Sequence, residues 1–495
     1  MRPRLLGAAG DPARTGADLA EDLADDLAED LRLHHLWTAM ARGDERLYAL
    51  ARAATLAPLT DPAAIEHRQR VLSDCLRNPG TVRALHRLAA EAVDAEQKIF
   101  RGGRPEALLN RSVRTLELAC ESLRDLRDLA AERAPAFRSA GFAELFGSLR
   151  AEVDEDYLRT AEALLGDLRF DHGIIAAARL GPGNKSTDLR LYAPPGKGRA
   201  PRRFRRTGLT HTVPSEHEEN WRALPAFRDL VLADVARATA ESADHVRGFL
   251  RALRDELGFY VGCLNLAETL TGLGLPVCLP EPRPAGDRTL AARELYDPGL
   301  ALRQGRATAC DVAAAGTGLI VITGANRGGK STFLRGAGTA QLMMQCGMFV
   351  PAREFAASVA DGVFTHFKRA EDRSMTSGKL DEELARMSAV VDRIRPGSLV
   401  LCNESFSSTS EREGAEIAAE ILRALGDLGT RTIFVTHLYD LARRLHDDPP
   451  AGTLFLRTEH DDTGAPTYRL VPGAPSPTAR AMAIYARVFG APPPP

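Results

Sequence analysis

At 495 residues the chain is too long for one ordinary domain, and two to four domains are expected. Its formal net charge of -2 excludes a uniformly basic nucleic-acid coat, so any contact with DNA or RNA must come from a local patch. Seven cysteines without a Cys-x-x-Cys spacing, no apolar run of membrane-spanning length and an N-terminal region unlike a signal peptide point to a reduced, cytoplasmic protein away from membranes.

Within 1–58, the stretch DLAEDLADDLAEDLRL spaces Leu19, Leu23, Leu27 and Leu31 four apart among carboxylates. This predicts an amphipathic helix packed on its own domain with a solvated acidic face. From 59 to 169 the pattern stays helical, as the first part of a helical core or lever domain. Ile65, Val71, Leu72, Cys75 and Leu76 form a stripe before NPG breaks the chain at 78–80. Leu109, Val113, Leu116, Cys120 and Leu123 then alternate in steps of four and three, as in a packed helical pair.

Residues 170–215 are rich in Gly and Pro and are expected to form a short insertion or long loop. Lys197, Arg199, Arg202, Arg203, Arg205 and Arg206 cluster there around Phe204. Two readings stand: the cations hold phosphates while Phe204 stacks a base, or the segment is an exposed, solvated loop. Helical texture returns over 216–289, ending in a Pro-rich connection. Over 290–490 the apolar runs GLIVIT (318–323), SLVLC (398–402) and RTIFVT (431–436) alternate with helical segments, which predicts a mainly parallel sheet with helices on both faces. The tail APPPP, 491–495, has no means of joining a core.

The strongest chemical signal is VITGANRGGKST, where Gly324, Gly329, Lys330 and Ser331 satisfy G-x-x-x-x-G-K-[ST] directly after a strand. Glycines let backbone N–H groups approach phosphates, Lys330 reaches the outer phosphates and the Ser331 hydroxyl can ligate Mg²⁺. The second strand ends in Asn403-Glu404 and the third in Thr436-His437, where ligands bind in open α/β sheets. Glu404 either caps a turn or orients the attacking water, and the catalytic role is preferred. His437 is read as a sensor of the terminal phosphate, against a structural histidine. The segment RQGRATACDV (303–312) lacks an evident aromatic, so the adenine pocket is not located.

Together these residues resemble the ATPase domain of the MutS mismatch-repair family. TGANRGGKSTFLR is similar to that family's phosphate loop, which adds Asn326, Gly328 and Thr332 to the nucleotide-binding set. QCGMFVPA (345–352), SLVLCNESFSSTS, IFVTHLYDL (433–441) and PTARAMAIYARVFG (477–490) extend the likeness, and LTDPAAIEHRQRVLSDCL and FYVGCLNLAETL carry it more weakly into the helical half. The resemblance implies an ABC-type P-loop NTPase preceded by helical levers, with ATP and Mg²⁺ as cofactors, DNA as partner and a homodimer with composite sites.

Three departures shape the expectation. No room for a mismatch-reading domain precedes the helical core, and Phe142-x-Glu144 lies among helical patterns and is read as core packing, so a mismatch reader is not expected. The element that completes the partner's site is represented by Ser377, Gly378 and Lys379, with Glu383 near the family's Glu; Lys379 is either a trans contact or a surface lysine. Asn403 stands where the family has a carboxylate that anchors Mg²⁺ through its waters. A neutral amide weakens the metal site and slows the enzyme without abolishing it. The expected function is a MutS-like ATPase whose nucleotide state moves helical arms to grip DNA; the alternative is a nucleotide-gated dimeric scaffold with negligible turnover that binds a protein partner.

Overall fold

The computed structural model describes residues 2–7, 21–97, 104–170, 175–180, 182, 186–192, 218–369, 378–461 and 465–475. The chain forms two compact units, one of Met1–Arg4 and Gly80–Leu257, the other of Leu5–Pro79 and Gly258–Pro495. Residues on both sides of 58/59 and of 289/290 belong to the second of these units.

The chain opens with α1 (Glu21–Asp30), α2 (Leu33–Ala41), α3 (Glu45–Leu56) and α4 (Pro62–Arg77). The NPG break is one residue wide: Asn78 caps α4, and Pro79, with no N–H to lose, starts α5 (Pro79–Gln97). Ile65, Val71, Leu72 and Cys75 are buried as expected, whereas Leu76 is 36% exposed and leaves the stripe.

The first unit continues with α6 (Pro105–Arg133), α7 (Ala140–Glu152) and α8 (Glu155–Leu168). Leu109, Val113, Cys120 and Leu123 of α6 are buried, as the four-three spacing requires, whereas Leu116 is half-buried. Phe142 is 0% exposed and sits 4.4 Å from the Phe137 ring and 5.4 Å from Phe146, so the Phe-x-Glu triplet is core. The insertion begins with an antiparallel hairpin, β1 (Ile175–Leu180) and β2 (Ser186–Tyr192). The helical return is a single 55-residue helix, α9 (Glu218–Gly272).

The second unit adds β3 (Glu281–Arg283), β4 (Leu290–Leu295), α10 (Pro298–Gln304), β5 (Cys310–Ala314), β6 (Leu319–Thr323), α11 (Lys330–Gln345), β7 (Glu354–Ser358) and β8 (Val363–Phe367). It ends with α12 (Lys379–Val391), β9 (Leu399–Asn403), α13 (Glu411–Asp427), β10 (Arg431–Val435), α14 (Tyr439–Asp447), β11 (Thr453–His460) and β12 (Pro466–Pro472). The larger sheet has the order β12-β11-β6-β10-β9-β8, parallel throughout except for β12. A smaller mixed sheet, β3-β7-β4-β5, lies in the same unit.

Strands covered on both faces need apolar residues at every position, which is why the three runs read as continuous rather than alternating. Val400 and Cys402 of β9 join a core with Met387 of α12, Leu422 of α13 and Leu441 of α14. Leu401 points the other way, where a Cβ on Gly338 of α11 would meet its Cδ1 at 2.5 Å. Arg431, buried at the start of β10, donates to the Ser358 carbonyl at 2.7 Å and so ties the larger sheet to β7.

The N-terminal helices are part of this unit. Leu23, Leu27 and Leu31 are buried as expected, with Leu23 in the core beneath α12 to α14, and Leu19 lies outside the described residues. The acidic face of α1 is not wholly solvated: Asp26 pairs with Arg369, and with Arg386 at 3.1 Å. Asp30 lies 3.7 Å from Arg386, and burial raises its carboxyl to about 6. On β8, His366 is buried between Ser405 Oγ, 2.7 Å from Nδ1, and the Glu383 carbonyl, 2.9 Å from Nε2. Its burial lowers the imidazole to about 4, so Nε2–H donates to the carbonyl and Nδ1 accepts from Ser405. Gln345 joins the N-terminal segment to the sheet, donating to the carbonyls of Leu59 and Ala360, each at 2.8 Å.

Two opposite pH dependences follow. Asp30 titrates above its ordinary 3.8, so its contribution to stability is full below that value and lost as pH rises through about 6. His366 titrates below its ordinary 6.5, so its contribution is full above that value and lost as pH falls through about 4. Removing one should expose the other. Asp30→Asn is expected to steepen the rise of the melting temperature between pH 4 and 6.5 relative to the native chain; an unchanged slope in thermal melts contradicts the assignment.

Candidate nucleotide site

Register builds the site. Val435 of β10 pairs with Ile322 of β6 on one side and Asn403 of β9 on the other. The next backbone groups close the same edge: Thr436 N–H donates to Ile322 O at 3.1 Å and Glu404 N–H to Val435 O at 2.9 Å. Three strand ends distant in sequence thereby meet at one rim, the carboxyl edge where α/β sheets bind ligands.

The loop between β6 and α11 turns through Gly324, with φ 123°, and Gly329, with φ 97°, both in the left-handed region that favours glycine. Space is as restrictive as conformation there. A Cβ on Gly324 would lie 2.2 Å from Thr458 Oγ1, one on Gly328 2.5 Å from Thr458 Cγ2, and one on Gly329 2.7 Å from the Tyr468 carbonyl oxygen. Lys330 opens α11 with its side chain buried, donating to the carbonyls of Gly324 at 2.7 Å and Ala325 at 3.1 Å. Desolvation lowers its ammonium below the ordinary lysine range, and the charge of Glu404 opposes that shift. Asn326 and Thr332 lie on the loop and the first turn of α11.

Ser331 and Asn403 meet directly: the serine hydroxyl donates to Asn403 Oδ1 at 2.7 Å. Two neutral oxygens at this spacing are hard ligands of the kind Mg²⁺ takes, so the residues fit that ion while bringing no charge to it. Glu404 follows with φ 54°, an uncommon conformation for a residue with a Cβ, held by its bond to Val435. His437 stands half-buried past β10 and makes no hydrogen bond or ion pair among the described residues. Its neighbour Thr436 instead accepts from Leu438 N–H at 3.0 Å and so turns the chain into α14.

Of the partner-site candidates, Lys379 is the first residue of α12, and Ser377 lies outside the described residues. Glu383, one turn further along α12, is buried and accepts from Ser408 Oγ at 3.0 Å, which joins α12 to the turn after Glu404. The basic cluster Lys197, Arg199, Arg202, Arg203, Arg205 and Arg206 also lies outside the described residues.

Sequence reasoning did not find Thr458 and Tyr468. Beside the phosphate loop is a pocket of about 500 Å³ lined by Arg306, Thr308, Arg327, Thr332 and Tyr468 among others. The segment 303–312 lines it through Gln304, Arg306, Ala307, Thr308 and Cys310, and its aromatic lining comes from other elements, Tyr296, Phe333 and Tyr468, the last 51% exposed. The alternation in PTYRLVP was the available signal for that strand; nothing local marks its approach to Gly329. Thr458 Oγ1 is buried against the loop without a hydrogen-bond partner among the described residues.

Two family models match the chain, the MutS2 N-terminal domain over residues 60–273 and MutS domain V over 320–476. Among relatives, it is 39% identical over 127 residues to the DNA mismatch repair protein MutS of Synechococcus sp. (strain CC9605), covering 26% of this chain and 14% of that protein. It is 28% identical over 287 residues to the probable DNA mismatch repair protein Msh6 of Drosophila melanogaster, covering 56% and 23%. A third match, the DNA mismatch repair protein MutS of Desulfosudis oleivorans, is 33% identical over 181 residues, covering 36% and 20%. The matched stretches thus span under a quarter of each relative's length. With its helical half matched by one model and its phosphate-loop half by the other, the chain belongs to the MutS family.

Proposed function

We propose that the chain binds and hydrolyses ATP in a MutS-like, ABC-type P-loop domain, and that nucleotide state moves its helical arms to grip DNA. The observation that supports this most strongly is the 2.7 Å hydrogen bond between Ser331 and Asn403, which joins the phosphate-loop helix to the strand bearing Glu404. In this reading the backbone N–H groups from Gly324 through Thr332, including those of Asn326, Gly328 and Gly329, surround the phosphates. Lys330 exchanges its two carbonyl partners for phosphate oxygens, and Tyr468 and Arg306 flank the base in the adjoining pocket. Ser331 and Asn403 hold Mg²⁺ or its waters; the ion supplies charge neutralisation at the phosphates. Glu404 orients the attacking water and accepts its proton, and His437 responds to the terminal phosphate.

A homodimer formed through the ATPase domains belongs to the proposal, with Ser377 and Lys379 reaching the partner's nucleotide. The basic cluster from Lys197 to Arg206 is the proposed DNA contact. Mismatch reading is not included, because the one Phe-x-Glu triplet considered for it is core. The second reading, a nucleotide-gated scaffold for a protein partner, draws its support from the same Ser331–Asn403 contact, since no carboxylate stands there.

Lys330→Ala is expected to abolish ATP binding in equilibrium titration, and retained tight affinity would falsify the phosphate-loop assignment. Asn403→Asp restores a charge to the metal site. It should lower the Mg²⁺ concentration for half-maximal hydrolysis by about tenfold, the size of one charge-assisted interaction. An unmoved Mg²⁺ requirement would place the metal elsewhere.

A further inference from the structure

Among the residues of the phosphate loop, Arg327 departs from the local rule. The turns at Gly324 and Gly329 use glycine in the left-handed region, whereas Arg327 adopts φ 61° there with a full side chain. A residue with a Cβ holds that conformation at a cost, which a contact of its side chain ordinarily offsets. Arg327 has none: it is exposed, and its guanidinium makes no hydrogen bond or ion pair among the described residues. What the conformation achieves is placement, since Arg327 lines the pocket of about 500 Å³ beside Gly329 and Thr332.

Charge around that pocket is one-sided. Arg306, between α10 and β5, is a second exposed cation in the lining without a hydrogen bond or ion pair among the described residues. The one carboxylate among the described lining residues, Asp297, is 5% exposed and accepts from Leu300 N–H at 3.1 Å. At the metal position the balance leans the same way, because Ser331 and Asn403 offer two neutral oxygens joined to each other at 2.7 Å. A carboxylate beside the phosphates repels them until a cation lies between; an amide does not. Fixed cations, Lys330 and Arg327, therefore stand on the loop with no fixed anion at position 403 to oppose a bare polyphosphate.

We infer that the site captures its nucleotide as the metal-free polyphosphate, with the Arg327 guanidinium supplying at the phosphates the positive charge that Mg²⁺ would otherwise bring. Guanidinium N–H groups pair with phosphate oxygens, and a side chain with no other partner gives up no contact when it binds them. Ser331 and Asn403 then serve the metal at turnover and not at capture. The inference rests on the phosphate-loop reading proposed above and extends it by separating these two requirements.

ATP affinity is measured calorimetrically on the full chain in excess EDTA and again at saturating Mg²⁺, for the native chain, Arg327→Gln and Asn403→Asp. Melting curves confirm that both variants fold. The native affinity is expected to differ by less than about tenfold between the two conditions. Arg327→Gln should lose at least about tenfold in EDTA, the size of one charge-assisted interaction, and less at saturating Mg²⁺. Asn403→Asp, which places an anion beside the phosphates, should also weaken binding in EDTA and recover with Mg²⁺. The inference alone is overturned if the native chain binds ATP more than about tenfold more weakly in EDTA than with Mg²⁺, or if Arg327→Gln leaves the affinity in EDTA unchanged. No binding by the native chain in either condition overturns the phosphate-loop reading and the inference together.

Discussion

The pairing of Val435 with Ile322 on one side and Asn403 on the other is the constraint on which the site depends. Strand pairing has a period of two, so a slip of one residue would turn Leu401 into the core occupied by Val400 and Cys402 and carry Asn403 away from Ser331. The core therefore fixes the chemistry. With the register set, Lys330, Ser331, Asn403 and Glu404 come from two segments of sequence to one rim without any loop having to find its place. What remains for the loop is to be thin, and the backing of Gly324, Gly328 and Gly329 by Thr458 and Tyr468 leaves no space for anything thicker.

The same unit ties its rim to its periphery. Ser405 follows Glu404 and bonds to His366 on β8, and Ser408 bonds to Glu383 of α12. Arg386 of α12 and Arg369 beyond β8 pair with Asp26 of α1. A chain of hydrogen bonds and ion pairs thus runs from the turn after Glu404 to the N-terminal helix. The buried members of this set, His366, Ser405 and Glu383, specify one arrangement, since each broken partner leaves a desolvated group behind.

How much of this was legible in the sequence follows from burial. The strands at 319–323, 399–403 and 431–435 announce themselves because both faces are covered and every position is apolar. The smaller sheet did not, because β5, CDVAA, is five residues long with Val312 its one β-branched residue, and β3 is three residues long. Strand β8 was hidden by His366, a polar residue whose burial depends on partners far along the chain. The glycine loop from Gly324 to Gly329 and the strand end carrying Asn403 and Glu404 are legible from local spacing. Tyr468 and Thr458 are not, because only tertiary pairing of β11 with β6 and of β12 with β11 brings them there. The partial burial of Asp26 on the acidic face of α1 is not legible for the same reason: its partners Arg369 and Arg386 lie more than 300 residues away.

The measurement that bears most directly on the central claim is steady-state ATP hydrolysis across a Mg²⁺ titration, for the native chain and Glu404→Gln side by side. Turnover by the native chain at saturating Mg²⁺, with loss of at least about a hundredfold in the variant, is predicted for a general base beside a weakened but working metal site. Tight ATP binding by both chains with no turnover by either would contradict it, and would make the Ser331–Asn403 pair the mark of a nucleotide-gated binding protein.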